Sequence, residues 1–511
     1  MPEPSPRQTP PAPGRLEPFV GPVVAALLLG FCLIYWGQAI HFSAGGPLQT
    51  DDAFTLWMIK SKSIIASLKL GADTAPPAFY YLMRANCRIL GFSHLGLRIP
   101  ALLGMFLFSA GIFFLLRKYV SNALAGAAAI LPLFGTMGQV GYFARPPALM
   151  MASFSFMCLV WAHDSSAKPK AWLSIALAAL LGFAISMHFY SVLFVPVLLL
   201  MELAYAVETR TFRKGHWIGI LAGFCVLLLW LPVIGPIYRM TRGSARSPLY
   251  YAHPTVLNLI KYIASIAFDK DIVIVLIFLM LLGAIYRWRQ ITLRQPTPTP
   301  VLRTDHLGIV GFAAGTIPFL TYAFAAVITH VFNERYIVSA ALGLGIALAL
   351  FVRTLNWSKT MDVLLLLVVV GVYARAEIPV IRNPVKTVAP FERAIHDLPG
   401  HDPVALPDGG AFFGAQESAD PVVRARTVYL FLPNGLQDPD TEPARIAHAW
   451  HTLRPELPIF TAEDFFAQHK SFYILTWGTP GVGLTPWVTA HMHTQIAATN
   501  GDYTILHVTT D

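Results

Sequence analysis

The chain has 511 residues, of which 55% are hydrophobic and only 13% charged, with a mean hydropathy of +0.57. A water-soluble protein carries roughly a quarter charged residues, so the composition excludes a fully soluble enzyme and points to a surface that largely faces lipid. The formal charge of +9 is no nucleic-acid footprint, because the basic residues fall in short clusters between apolar runs, such as Arg117-Lys118, Arg210 with Arg213-Lys214, and Arg287 with Arg289. Of the four cysteines, Cys32, Cys158 and Cys225 fall inside apolar segments and Cys87 stands apart, a spacing that suits neither a structural disulfide nor a zinc site.

Residues 1–18 are rich in proline, and a disordered cytoplasmic tail is expected there. The first apolar run, 19–40, precedes Ser43-Ala44-Gly45, which resembles a cleavage site, but its length matches a bilayer crossing and favours a retained helix. Further membrane helices are expected over 100–116, 123–142, 148–162, 171–187, 190–207, 217–234, 272–286, 307–328, 336–351 and 363–373, about eleven in all. The loop 41–99 holds apolar residues at helical spacing, among them Phe54, Trp57, Met58, Ile64, Ile65 and Leu68, and 256–268 is similar. Both read as amphipathic helices on the membrane surface. Lysine and arginine collect in alternate loops, including Lys168, Lys170, Arg294, Arg303, Arg353 and Lys359. That asymmetry puts the N-terminus in the cytoplasm, and an odd number of crossings puts everything after Tyr373 outside.

Beyond about residue 376, Asp, His, Pro and Gly become frequent. Short apolar strands at 403–406, 427–432, 472–476 and 503–508 surround helical patterns at 444–453 and 462–470. The expected organisation is a tail (1–18), a mainly α transmembrane domain (19–375) with a long first outside loop (41–99), and a small soluble α/β domain (376–511). Gly481-Val482-Gly483 reads as a turn, since no helix pattern follows it.

Two adjacent carboxylates, Asp51-Asp52, stand at the start of the outside loop. Beside a bilayer such a pair must be hydrated, paired or binding something. The same loop continues with Asp73-Thr74-Ala75-Pro76-Pro77-Ala78-Phe79-Tyr80-Tyr81-Leu82 and ends on Leu97-Arg98-Ile99-Pro100-Ala101. Together these segments resemble the first loop of the GT-C glycosyltransferases. The likeness is to the bacterial relatives of protein O-mannosyltransferases (glycosyltransferase family 39) and of the aminoarabinose transferase that modifies lipid A. Ala144-Arg145-Pro146 and Glu334-Arg335-Tyr336 are similar to motifs that relatives carry at outside helix ends. The chain departs from the pattern where relatives have His before the double proline, Glu before Ala-Arg and Tyr after Arg-Pro. Here those positions are Ala75, Phe143 and Pro147, which puts a histidine or second-carboxylate role there in doubt.

The resemblance implies a polytopic GT-C helical bundle in a bacterial inner membrane. It implies an inverting transferase that moves a sugar from a polyprenyl-phosphate donor to a lipid, glycan or protein acceptor at the periplasmic face. By it, Asp51 or Asp52 deprotonates the acceptor hydroxyl, and the choice between them stays open. Neighbouring carboxylates in a partly dry site discourage joint ionisation and push one pKa up. Arg145 and Arg335 either hold the donor phosphate or snorkel to lipid headgroups. Tyr336, Asp73, Tyr80 and Tyr81 are substrate-binding candidates within the same motifs. Lys60 either assists the phosphate or attracts the chain to lipid, and His188 with Tyr190 marks another outside helix end. No cofactor or metal is required on this reading, although the acidic pair offers oxygen ligands to a divalent cation. The C-terminal domain, on the same side, is expected to bind the acceptor or close over it. Expected partners are membrane lipids, the donor and the acceptor, and no nucleic acid. The competing reading is a transporter or flippase of a lipid-linked glycan, which would show repeated halves and ionisable groups at the midplane. A non-catalytic scaffold is the third.

Overall fold

The computed structural model describes residues 17–48, 50–163, 170–245, 252–292, 306–383, 390–431, 442–477, 484–499 and 503–509. Residues 1–16 of the expected tail, the 481–483 turn, and Lys168, Arg294 and Arg303 lie outside the described residues. Each of the eleven apolar runs lies in helical structure. Among the described residues, seven helices are long and apolar enough to cross a membrane, and the shorter apolar helices Asn122–Leu133, Pro147–His163 and Ala171–Met187 stand among them. The chain is a multi-pass membrane protein.

One span runs further than its apolar run. Helical structure continues over Lys214–Gly243, because beyond Trp230 the pattern turns amphipathic without breaking. Val233, Ile237 and Met240 are buried at successive turns, so apolarity marks where lipid ends and not where the helix ends.

Two helices that matter for the site pack almost backbone to backbone. A Cβ on Gly104 of His94–Leu116 would come within 2.8 Å of the Ala148 carbonyl carbon on Pro147–His163, and two turns on a Cβ on Gly111 would collide with the Ser155 side chain. Small residues are what allow such closeness in lipid. The contact holds the start of one helix, which carries Arg98, near the approach to the other, where Asp52 bridges Arg98 to the Ala144 N–H.

The first outside loop is three helices, Thr50–Lys60, Ile64–Leu70 and Pro77–Leu90. The Ser63 side chain caps the second by accepting from the Ala66 N–H, and Gly71 ends it with φ +88°, where a Cβ would be strained. Pro77 opens the third at the first helical position, where its missing N–H costs nothing. The surface helix expected at 256–268 is Val256–Ala267.

The C-terminal segment folds as an α/β unit around one six-stranded sheet. In chain order its strands are β1 (Val404–Leu406), β2 (Thr427–Phe431), β3 (Ile459–Thr461), β4 (Ser471–Trp477), β5 (His493–Thr499) and β6 (Tyr503–Thr509). Their spatial order is β3-β2-β1-β4-β6-β5. The first four pair parallel and β6 pairs antiparallel with both β4 and β5. Strands β3 and β5 were not anticipated: β3 has three residues, and β5 is an exposed edge strand without clear alternation. One face of the sheet and the first-loop helices share a single apolar core that includes Trp57, Met58, Phe79, Phe413, Tyr429 and Trp450. Trp57 Nε1–H donates to the Phe413 carbonyl at 3.3 Å, and its ring meets Trp450 edge-on at 5.9 Å.

Candidate active site

Asp51 and Asp52 occupy the first turn of the helix Thr50–Lys60, where carboxylates favour the positive end of the helix dipole. Successive residues on a helix diverge by roughly 100°, and the two side chains go to different places. Asp52 is fully buried. Its Oδ2 accepts from Arg98 Nε at 3.0 Å and Nη2 at 2.5 Å, and its Oδ1 accepts from the Ala144 N–H at 2.6 Å. Arg98, equally buried, also donates to the carbonyls of Ser43, Gly46 and Pro47. This pair locks the end of the first membrane helix to the loop helix and to the approach to Pro147–His163.

Asp51 faces the other way, with about a third of its side chain exposed. Arg145 Nη2 donates to its Oδ1 at 2.9 Å and Arg335 Nη1 to its Oδ2 at 3.1 Å. Arg145 uses its other arm, Nη1, on Asp73 Oδ2 at 2.8 Å, while Asp73 Oδ1 accepts from the Thr74 N–H. Four charged groups thus form a chain, Asp73–Arg145–Asp51–Arg335. Burial alone pushes the Asp51 carboxyl up, but the Arg145 and Arg335 guanidiniums outweigh it and hold the group below the usual carboxylate range. The expectation that a neighbouring carboxylate raises one pKa is therefore corrected: Asp52 spends its charge on Arg98, and what Asp51 meets is two cations. Burial works against the Arg145 charge too, but Asp51 and then Asp73 hold the guanidinium firmly protonated.

Arg335 sits on the 3₁₀ turn Glu334–Tyr336, capped by the Asn333 side chain, which accepts from the Arg335 N–H. The turn follows a π-helical segment, Ala325–Thr329, which ends at His330 in the left-handed region. That irregular exit returns the chain toward Asp51. Tyr336 stacks on Tyr190 at 3.9 Å between ring centroids, with the His188 ring 5.6 Å from Tyr336. His188 Nδ1 accepts from the Tyr190 N–H, so Nε2 carries the proton. Burial, then the charges of Arg335 and Arg145, hold His188 down to about 3, and it is a neutral donor.

These groups line one cavity of about 650 Å³. Asp51, Asp73, Arg145, His188, Arg335 and Tyr336 make its polar end. Val192, Leu227, Ile234, Phe324 and Ile328, all on membrane helices, make an apolar wall. Pro407, Asp408, Gly409, Tyr429 and Ile446 of the C-terminal segment close another side. Among the described residues there is no group of three or more His, Cys, Asp or Glu side chains placed to hold a metal ion.

The structure brings together six of the ten candidates read from the sequence. The other four lie off the cavity. Asp52 is turned inward by the helix pitch. Tyr80 is buried beside Asp73, and Tyr81, one residue on, is turned to the surface. Lys60, at the far end of its helix, pairs with Glu417 of the C-terminal segment at 2.7 Å. Arg98, quoted only as part of a motif, is the partner that sorts the two aspartates. Asp408 was missed altogether, although Pro407-Asp408-Gly409-Gly410 directly after a short apolar strand is a helix-start signal.

A family model described as dolichyl-phosphate-mannose-protein mannosyltransferase matches residues 74–235, less than half of the chain. Among solved structures, the chain is similar to ArnT from Cupriavidus metallidurans in the apo state. The TM-score is 0.54 and the identity 14%, over 97% of this chain and 98% of that one. The chain has the GT-C fold. ArnT bound to undecaprenyl phosphate matches at a TM-score of 0.52, with 13% identity over the same shares. An oligosaccharyltransferase from Archaeoglobus fulgidus shows a TM-score of 0.44 and 14% identity over 79% of this chain and 62% of that one. No curated protein sequence matches the chain. The charged chain sits where the first loop, the Arg145 turn and the Arg335 turn converge.

Proposed function

We propose that this GT-C protein is an inverting glycosyltransferase that moves a sugar from a polyprenyl-phosphate carrier to an acceptor hydroxyl at the extracytoplasmic face. The observation that carries the reading is Asp51 held between Arg145 and Arg335 at the polar end of a cavity walled by membrane-helix side chains. A lipid-linked phosphate matches both parts: a hydrocarbon chain for the apolar wall and a phosphate for two guanidinium forks. The ArnT likeness supports it, since that fold has been captured with undecaprenyl phosphate.

In this mechanism the donor phosphate competes with Asp51 for Arg145 and Arg335. Losing guanidinium contacts frees the carboxylate and raises its basicity. Asp51 then takes the proton of the acceptor hydroxyl, and the acceptor oxygen bonds to the anomeric carbon from the side opposite the phosphate. The bond from anomeric carbon to phosphate oxygen breaks, and polyprenyl phosphate leaves with the electron pair, stabilised by the arginines. Neutral His188 is placed to donate a hydrogen bond, and Asp73 keeps Arg145 aimed while Asp51 is engaged elsewhere.

The test uses the purified full-length protein in lipid nanodiscs with a panel of polyprenyl-phosphate sugars, reading release or transfer of labelled sugar. The parent should consume at least one donor, and Asp51→Asn should lose that turnover. Equal rates in parent and variant would remove Asp51 as the base.

A further inference from the structure

The C-terminal sheet meets the cavity at a particular place. From β1 the chain moves outward through β2 to β3, then crosses back to β4 on the other side of β1. The point between β1 and β4 is therefore where the winding reverses, and open α/β sheets bind ligands outside the carboxyl ends of strands at such a point. The residues that follow β1, Pro407, Asp408 and Gly409, line the cavity, with Tyr429 from β2 beside them. A Cβ on Gly409 would lie 3.2 Å from the Tyr429 hydroxyl and 3.3 Å from Phe54 on the first loop, so this corner is closely built from both parts of the chain.

The charges of the cavity are sorted. Among the described lining residues the arginines are Arg145 and Arg335, both at the Asp51 end, while Asp408 is a carboxylate on the sheet side. Resting on the transferase reading, we infer that Asp408 and Tyr429 form the acceptor subsite, which selects an uncharged, hydroxyl-bearing headgroup such as a glycosyl unit over an anionic one. A carboxylate and a phenol hydrogen-bond sugar hydroxyls readily, whereas a phosphate-bearing acceptor would meet like charge there without a cation of its own. Asp408 is exposed, with its backbone neighbours Ala411 and Gly410 at the start of the helix beside it. Both carboxylates line the one cavity, so a hydroxyl bound at Asp408 shares that space with the base.

Asp408 also caps the helix Gly409–Gln416, its Oδ1 accepting from the Ala411 N–H at 2.7 Å. Asp408→Asn keeps a good cap and removes the charge, so it separates the subsite from a purely structural role. Tyr429→Phe keeps the ring that stacks on Phe412 and removes the hydroxyl. The experiment uses full-length protein in nanodiscs with its accepted polyprenyl-phosphate sugar, and octyl β-glucoside or its 6-phosphate as acceptor probes. The parent should prefer the neutral glycoside by about tenfold or more in kcat/KM. Asp408→Asn should raise the KM for the glycoside by about tenfold, with donor KM within about twofold of the parent, and should narrow the gap between the two probes. A parent that prefers the phosphate, or an Asp408→Asn variant whose acceptor KM is unchanged, overturns the subsite while leaving the transferase reading intact. A parent that consumes no donor at all overturns both.

Discussion

Adjacent aspartates with opposite fates make the sharpest prediction. Asp52→Asn keeps side-chain volume and the bond to the Ala144 N–H, but it leaves the fully buried Arg98 guanidinium without its counter-charge and sets an amide N–H group against another donor. Breaking a buried pair in this way costs about 3–5 kcal/mol. Asp51→Asn instead removes two ion pairs from a side chain that is one-third exposed, each worth about 0–1 kcal/mol, and it takes away the proposed base, worth about 10²–10⁴ in rate. Thermal unfolding of both purified variants, alongside sugar turnover per folded molecule, separates these effects. Asp52→Asn should melt well below the parent, and Asp51→Asn should melt with it while losing turnover. The reverse pattern, with Asp51→Asn unstable and Asp52→Asn stable but inactive, would refute the assignment.

Other perturbations follow from the same geometry. Arg145→Lys loses the fork that spans Asp51 and Asp73 and should raise donor KM by about tenfold or more, read by steady-state kinetics over donor concentration. At the other end of the bundle, Glu202 is buried and accepts from Arg213, Trp161 and His216. Glu202→Leu should cost about 3–5 kcal/mol of stability without changing donor KM in the folded fraction, read by unfolding midpoints together with kinetics. His188 is held at about 3 in the folded chain against 6.5 ordinarily. Between those values the unfolded chain binds more protons, so its contribution is fully present above 6.5 and is lost as pH falls toward 3. His188→Gln should therefore lose less stability than the parent on acidification through that window, and parallel melting curves would contradict the shift.

Helix positions were legible because lipid imposes a length and a composition on every crossing, and the charge pair was legible because carboxylates beside a bilayer need a reason. The first-loop motif led to Asp51, and the later motifs Ala144-Arg145-Pro146 and Glu334-Arg335-Tyr336 led to the two arginines. Which aspartate faces the cavity was not legible, since it depends on the rotation of one short helix and on Arg98 arriving from 46 residues away. Strand β3 is too short to show a pattern, and β5 has lost it through exposure. Asp408 escaped for another reason: a cap residue in a soluble segment gives no hint that the segment folds down onto a membrane cavity.

The apolar core shared by Trp57, Phe413 and Trp450 has an engineering consequence. A chimera joined near residue 390 would divide one oil drop between two parents, so exchanging the C-terminal segment alone exposes aromatic surface on both halves. Any swap intended to transplant acceptor preference has to carry the helices Thr50–Lys60 and Ile64–Leu70 with it, and through them the base itself.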